Sequence, residues 1–341
     1  MNPMNPPPIP EKRSRRGLLI AVVILGVALS ISFCVNLAIL AGRTLKNTDL
    51  GMLNGGSDQY PQLVERWSYG HGDVKAARIS LDGIIMRHEQ AGLLGARVDK
   101  IQEIVYQVRA ATNDKDVRAI VFEIDSPGGA VTPSDELYSV LKAFRESRSD
   151  RRVIAFAKDL AASGGYYAAM SADWIIAEPT SIVGSIGVIM QSLNWKKLTD
   201  DIGIRDITIK SGKNKDILNP FRETSDEHLR ILQIMIDSMH ARFKGIVQES
   251  RNIDTETLNE LADGRVYTAE QALDYHLIDQ VGYWEDVVDR TSEVLGVESV
   301  RFIKYYRHTD FFTLLTQIRT PWHAPSLMDL QSPRIMYLWK P

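Results

Sequence analysis

The chain has 341 residues, 44% of them hydrophobic and 24% charged, and a net charge of −3. That balance suits a globular protein with a sizeable core and leaves no global positive field to draw it to nucleic acid. A single cysteine, Cys34, excludes an intrachain disulfide and a cysteine-built zinc site, and seven scattered histidines form no HxxxH pair, so a metal hydrolase is not expected.

The first sixteen residues hold the run Pro3 to Pro10 and the cations Lys12, Arg13, Arg15 and Arg16, which predicts a disordered tail. Gly17 to Gly42 then runs without a charge, with Asn36 its only strongly polar side chain. About 20 apolar residues span a bilayer as a helix, so 17–42 is expected to be one transmembrane helix, longer than the apolar region of a cleaved signal peptide. The denser basic side precedes it. This predicts a cytoplasmic N-terminus and a domain on the outer side of the cell membrane.

Residues 43–72, with Gly55-Gly56-Ser57, read as a tether. From Asp73 strand and helix signals alternate. Val74 to Met86 and Val117 to Ile124 read as strands, as do Arg152 to Ala157 and Trp174 to Ala177. Ala96 to Thr112 and Thr132 to Ser147 read as helices, another should open near Ser163, and Thr224 to Arg251 makes a long one. The alternation predicts an α/β domain over 73–303 with a mostly parallel sheet covered on both faces. The remainder, 304–341, is rich in aromatic residues and proline, and only Thr309 to Ile318 looks helical.

Three segments carry chemistry. Asp125-Ser126-Pro127-Gly128-Gly129 follows a buried strand, and its glycines let backbone approach a ligand closely; taken alone it reads as an ordinary turn. Ser163, within Ala161-Ala162-Ser163-Gly164-Gly165-Tyr166-Tyr167, fits a tight turn into a helix N-terminus, where a developing negative charge is favoured. The Gly164 N–H, with one from Gly128 or Gly129, would form an oxyanion hole. The plainer reading of Ser163 is a helix cap.

A serine nucleophile needs a base, and no histidine has a distinctive local context. Lys215 in Ser211-Gly212-Lys213-Asn214-Lys215-Asp216 is a candidate, with Lys213 a rival on spacing. A lysine acting as base must be neutral, and bringing its pKa from about 10.4 to about 7 takes about 4.6 kcal/mol of preference for the amine. Ser185, within Thr180-Ser181-Ile182-Val183-Gly184-Ser185-Ile186-Gly187, has a hydroxyl able to hydrogen-bond and orient such an amine, its plainer reading being an ordinary turn-and-strand serine.

Taken together, the Ser-Pro-Gly-Gly turn, Ala-Ser-Gly-Gly-Tyr-Tyr, Thr-Ser-Ile-Val-Gly-Ser-Ile-Gly-Val and Ser-Gly-x-x-Lys-Asp resemble the signal peptide peptidase A family of serine proteases. Asp263-Gly264-Arg265-Val266-Tyr267 is similar to that family's downstream signature, and the resemblance covers about residues 73 to 300. It implies a ClpP/crotonase-like fold and a Ser–Lys dyad needing no metal or cofactor. Ser163 is then the nucleophile, Lys215 rather than Lys213 the general base, Ser185 the lysine-orienting serine, and Gly129 with Gly164 the oxyanion hole. It also implies a homo-oligomeric ring with each dyad completed across a subunit boundary, and signal-peptide remnants or other short hydrophobic peptides as substrates. Two other readings are a crotonase-type acyl-CoA enzyme, which a domain outside the cytoplasm disfavours, and a catalytically silent peptide-binding scaffold.

Overall fold

A computed structural model describes residues 63–87, 90–91, 97–307 and 335–339, together with residues 20, 22–33 and 35–36 of an N-terminal helix, α1. Its described residues are exposed, and among the described residues no helix is long and apolar enough to cross a membrane. The ends of the expected span 17–42 lie outside the described residues, as do the tail 1–16, most of the tether and the helix expected at 309–318.

The remaining unit starts at Ser57. In chain order it forms β1 (Leu63–Tyr69), β2 (Lys75–Asp82), the short pair β3 (Gln90–Ala91) and β4 (Arg97–Val98), α2 (Lys100–Asn113) and β5 (Val117–Ser126). There follow β6 (Gly128–Ala130), α3 (Val131–Glu146), β7 (Arg152–Ala162), α4 (Gly164–Ala169), β8 (Trp174–Ala177), β9 (Ile182–Gly184) and β10 (Ile189–Met190). Then come α5 (Lys196–Asp201), α6 (Asp226–Arg251), α7 (Thr255–Leu261), β11 (Val266–Thr268), α8 (Ala269–Asp274), β12 (Gln280–Val281), α9 (Trp284–Leu295), β13 (Arg301–Arg307) and β14 (Ile335–Leu338).

The central sheet runs β1-β13-β2-β5-β7-β8-β12, with β9 joined to β7 and β11 to β9. The pairs from β13 through β12 are parallel, as is β7 with β9; β1 and β11 add antiparallel edges. This is the mixed α/β architecture with a mostly parallel sheet that the alternating pattern predicts. The central strands are apolar on both faces because both faces are covered. Along β5, Ile120, Phe122 and Ile124 join the core under α2, α3, α4 and α6, while Ala119 and Val121 point to the opposite layer with Val287 and Leu295 of α9.

Two strands fall outside the 73–303 boundaries expected for the domain. β1 lies in the stretch read as tether and pairs with β13, Leu63 opposite Arg307. β14, inside the extension 304–341, is the middle strand of a second small sheet, β10-β14-β6.

Candidate active site

Parallel register brings the carboxyl ends of β5, β7 and β9 together, the edge at which open α/β sheets place their sites. Ser126 pairs with Ala161, and Ala162 with Gly184. The chain leaves β7 through Ser163 and enters α4 directly. Ser163 has φ 53° and ψ −113°, a conformation L-residues rarely adopt, and it is held there from both sides. Its N–H donates to the Gly184 carbonyl at 2.7 Å, and its own carbonyl accepts from Tyr167 N–H at 2.8 Å. The side chain does not cap the helix, and its buried hydroxyl has no hydrogen-bond partner among the described residues. The capping reading therefore fails. A strained backbone held in place to present an unbonded hydroxyl is characteristic of a nucleophile turn.

The glycines beside it leave no room for side chains. A Cβ on Gly129 would run into the Ile85 carbonyl, and one on Gly164 into the Ser134 hydroxyl, with the Gly129 nitrogen only 3.2 Å from that point. The Ile85 N–H donates to the Gly128 carbonyl at 2.9 Å and the Ala130 N–H to the Ile85 carbonyl at 2.7 Å, which pins the Pro-Gly-Gly turn beside α4. Ser126 braces the same turn, donating to the Gly83 carbonyl at 2.7 Å and accepting from Gly128 N–H at 3.1 Å. Ser185 also has positive φ, 53°, is buried, and donates its N–H to the Arg265 carbonyl at 2.8 Å; it directly follows the residue that anchors Ser163.

Four of the five expected site residues, Ser163, Gly129, Gly164 and Ser185, thus meet on adjoining elements. Lys215 does not join them within one chain. It is exposed, in a run of turns after α5, and the Ser163 hydroxyl has no partner among the described residues. Its neighbours are committed elsewhere: Lys213 pairs with Glu227, and Asp216 with Lys210 at 2.5 Å. The region around it exposes large apolar side chains, among them Leu198, Ile202, Ile204, Ile207 (88% exposed) and Ile209 (98% exposed).

Sequence reasoning passed over two groups. His240 of α6, together with Ser185, Ile189, Asp263, Leu338 and Trp339, lines a cavity of about 620 Å³. Burial, seconded by Lys244, pushes its pKa down, so the imidazole is neutral at pH 7. Tyr167 packs beside the nucleophile turn and donates to Asp135 at 2.5 Å; burial first, then that carboxylate, raise its pKa far above the usual phenol value. Helical spacing alone marks both positions only as helix residues.

The profile of peptidase family S49 matches residues 145–298, which include Ser163, Ser185 and Lys215 but not Gly129. A protein of Enterococcus faecium named as a signal peptide peptidase SppA is 33% identical over 243 residues, covering 71% of this chain and 70% of that protein. The chain belongs to this family. A protein named as a protease in Synechocystis is 37% identical over 204 residues, 60% of this chain and 73% of that one. Protease 4 of Salmonella typhi is 30% identical over 201 residues, 59% of this chain but only 32% of its own length. Membership of family S49 makes the protein a serine protease, and the strained turn at Ser163 is the part of the fold suited to that chemistry.

Proposed function

We propose that this S49 peptidase is a membrane-anchored endopeptidase on a ClpP/crotonase-like scaffold that cleaves residual signal peptides or other short hydrophobic segments with a Ser–Lys dyad. The observation that carries the reading is the Ser163 turn, with an unbonded hydroxyl beside the Gly129 and Gly164 amides. Ser163 Oγ attacks the peptide carbonyl, giving its proton to the amine of Lys215. The carbonyl oxygen becomes an oxyanion held by the two amide N–H groups. Collapse breaks the C–N bond, and the lysine ammonium returns the proton to the leaving amine. Water, deprotonated by the same lysine, then releases the acyl group and restores Ser163.

The base comes from another copy of the chain. An exposed lysine in a segment with uncovered apolar side chains suits an assembly in which that segment packs against a neighbour, and burial at such an interface favours the neutral amine. Ser185, beside the anchor of Ser163, orients it. The charge-free stretch Gly17 to Gly42 supplies the anchor, with the catalytic domain on the outer side. The names borne by relatives in Enterococcus faecium and Salmonella typhi support the peptidase reading and, for the first, the substrate.

The test is cleavage of a synthetic signal peptide by the detergent-solubilised full chain, read by mass spectrometry. Ser163→Ala and Lys215→Ala should each lower turnover by roughly 10²–10⁴-fold or more. Cleavage that persists in Lys215→Ala would overturn the dyad.

A further inference from the structure

The peptidase reading gives His240 of α6 no task, although its ring shares a cavity wall with Ser185. The imidazole is only partly exposed, and its buried Nε2 has no hydrogen-bond partner among the described residues. A buried polar atom left unbonded costs free energy that a solvated one does not, so its neighbours must hold the ring there. Those neighbours are the two segments that fix Ser185.

The first segment is the exit from β9 and the second is the approach to β11. Gly184 ends β9 opposite Val266 of β11. Ser185 follows with its positive φ of 53°, its N–H donating to the Arg265 carbonyl at 2.8 Å. Gly187 and Gly264 then come so near that a Cβ on the first would stand 3.2 Å from the second's Cα. His240 reaches in from α6, with the backbone carbonyls of Ile186 and Ala262 against its ring. A serine in the left-handed region persists only where its surroundings over-determine it. The same frame reaches the nucleophile, because the Gly184 carbonyl accepts the Ser163 N–H at 2.7 Å.

This prop suits a neutral imidazole. Burial first, then Lys244 on the same helix, disfavours the charged ring; the Ala262 and Ile186 carbonyls and Asp237 oppose them without prevailing. Lys244 also donates to Asn259 of α7 at 2.9 Å. Asp263, the other carboxylate on the cavity wall, is engaged by Arg265 Nε at 2.8 Å. The cavity of about 620 Å³ leaves room for the ring to swing out, and a proton binds it more readily there than in its buried place. Linkage then favours the released form by up to about tenfold for each pH unit below the ordinary imidazole value of 6.5.

We propose that His240 is a positioning residue with a pH-sensitive hold: its neutral ring props Ile186 and Ala262, keeps Ser185 in place to orient the lysine amine, and lets go on taking a proton. The task of Ser185 rests on the peptidase reading, whereas the hold itself rests on the packing of His240.

Hold and turnover are read separately. Amide hydrogen exchange of the detergent-solubilised full chain is followed by mass spectrometry at pH 7 and pH 5.5, corrected for intrinsic rates. In the unmodified chain the amides of 183–187 should exchange about tenfold faster at pH 5.5. In His240→Gln, which keeps a donor but takes no proton, they should not respond to pH; His240→Asn serves as a second non-titrating form. On the synthetic signal peptide at pH 7, His240→Ala should lower kcat about tenfold with KM nearly unchanged, and His240→Gln should recover most of that loss. Unresponsive exchange in the unmodified chain, or an equal response in His240→Gln, overturns the hold. A response confined to the histidine form, without cleavage by any form, upholds the hold and breaks the peptidase reading. Cleavage with unresponsive exchange breaks the hold and leaves the peptidase reading standing.

Discussion

Residues 117–185 and residues 191–225 contribute to one proposed reaction but are built in opposite ways. The first region is buried, held in parallel register, and fixes Ser163, Gly129, Gly164 and Ser185 through backbone hydrogen bonds that a single chain supplies. The second is a run of short elements and turns around Lys215, with Ile207 and Ile209 almost fully in solvent. A nucleophile turn under backbone strain needs a rigid frame to hold it. A base need only arrive, and an exposed segment with apolar side chains can deliver it to a neighbour.

The contrast can be broken by perturbing each region separately. If the proposed assembly delivers the base, replacing Ile207 and Ile209 with aspartate should disperse it and lower turnover by roughly 10²–10⁴-fold, while the melting temperature of the domain barely moves. Size-exclusion chromatography with light scattering, run beside the peptide assay, checks both halves. An active monomer would sink the shared site. Gly129→Ala acts on the rigid side: its Cβ meets the Ile85 carbonyl, the amide shifts, and turnover should fall roughly 10²–10³-fold with assembly intact.

Glu123 probes the frame itself. It is 1% exposed and is held by Arg78 at 2.6 Å and Lys158 at 2.7 Å. Glu123→Ala should cost about 1–3 kcal/mol of domain stability in denaturant unfolding, by removing the buried carboxylate to which two partly exposed cations donate. A smaller effect follows from its titration. Burial alone would raise the Glu123 pKa, but the hydrogen bonds from Arg78 and Lys158 outweigh it and hold the value below the usual 4.5. A depressed carboxylate contributes its stability above the unfolded value and loses it as pH falls through the folded one. The unfolding free energy should therefore drop below about pH 4.5, and Glu123→Gln should flatten that drop.

Much of the rigid region is legible in the sequence because its signals are local. The apolar run Ala119-Ile120-Val121-Phe122 reads as a strand covered on both faces, and Ser163-Gly164-Gly165 reads as a turn into a helix. What stays illegible depends on distant partners. β1 is mostly exposed and lacks an alternating apolar face, so nothing in Leu63 to Tyr69 announces a strand until β13 pairs with it. β14 is four residues whose partners, 128–130 and 189–190, lie far back along the chain. Lys215 stands out only through its motif, and no local pattern ties it to the Ser163 turn.

The measurement that tests this account most directly is complementation between two inactive variants. Ser163→Ala and Lys215→Ala proteins are mixed in equal amounts, dissociated, reassembled and assayed on the synthetic signal peptide. If each site takes its serine from one copy and its lysine from another, random mixing should restore activity at roughly a quarter of the sites. If the mixture reassembles but stays as inactive as its components, serine and lysine act within one chain and the shared site is wrong.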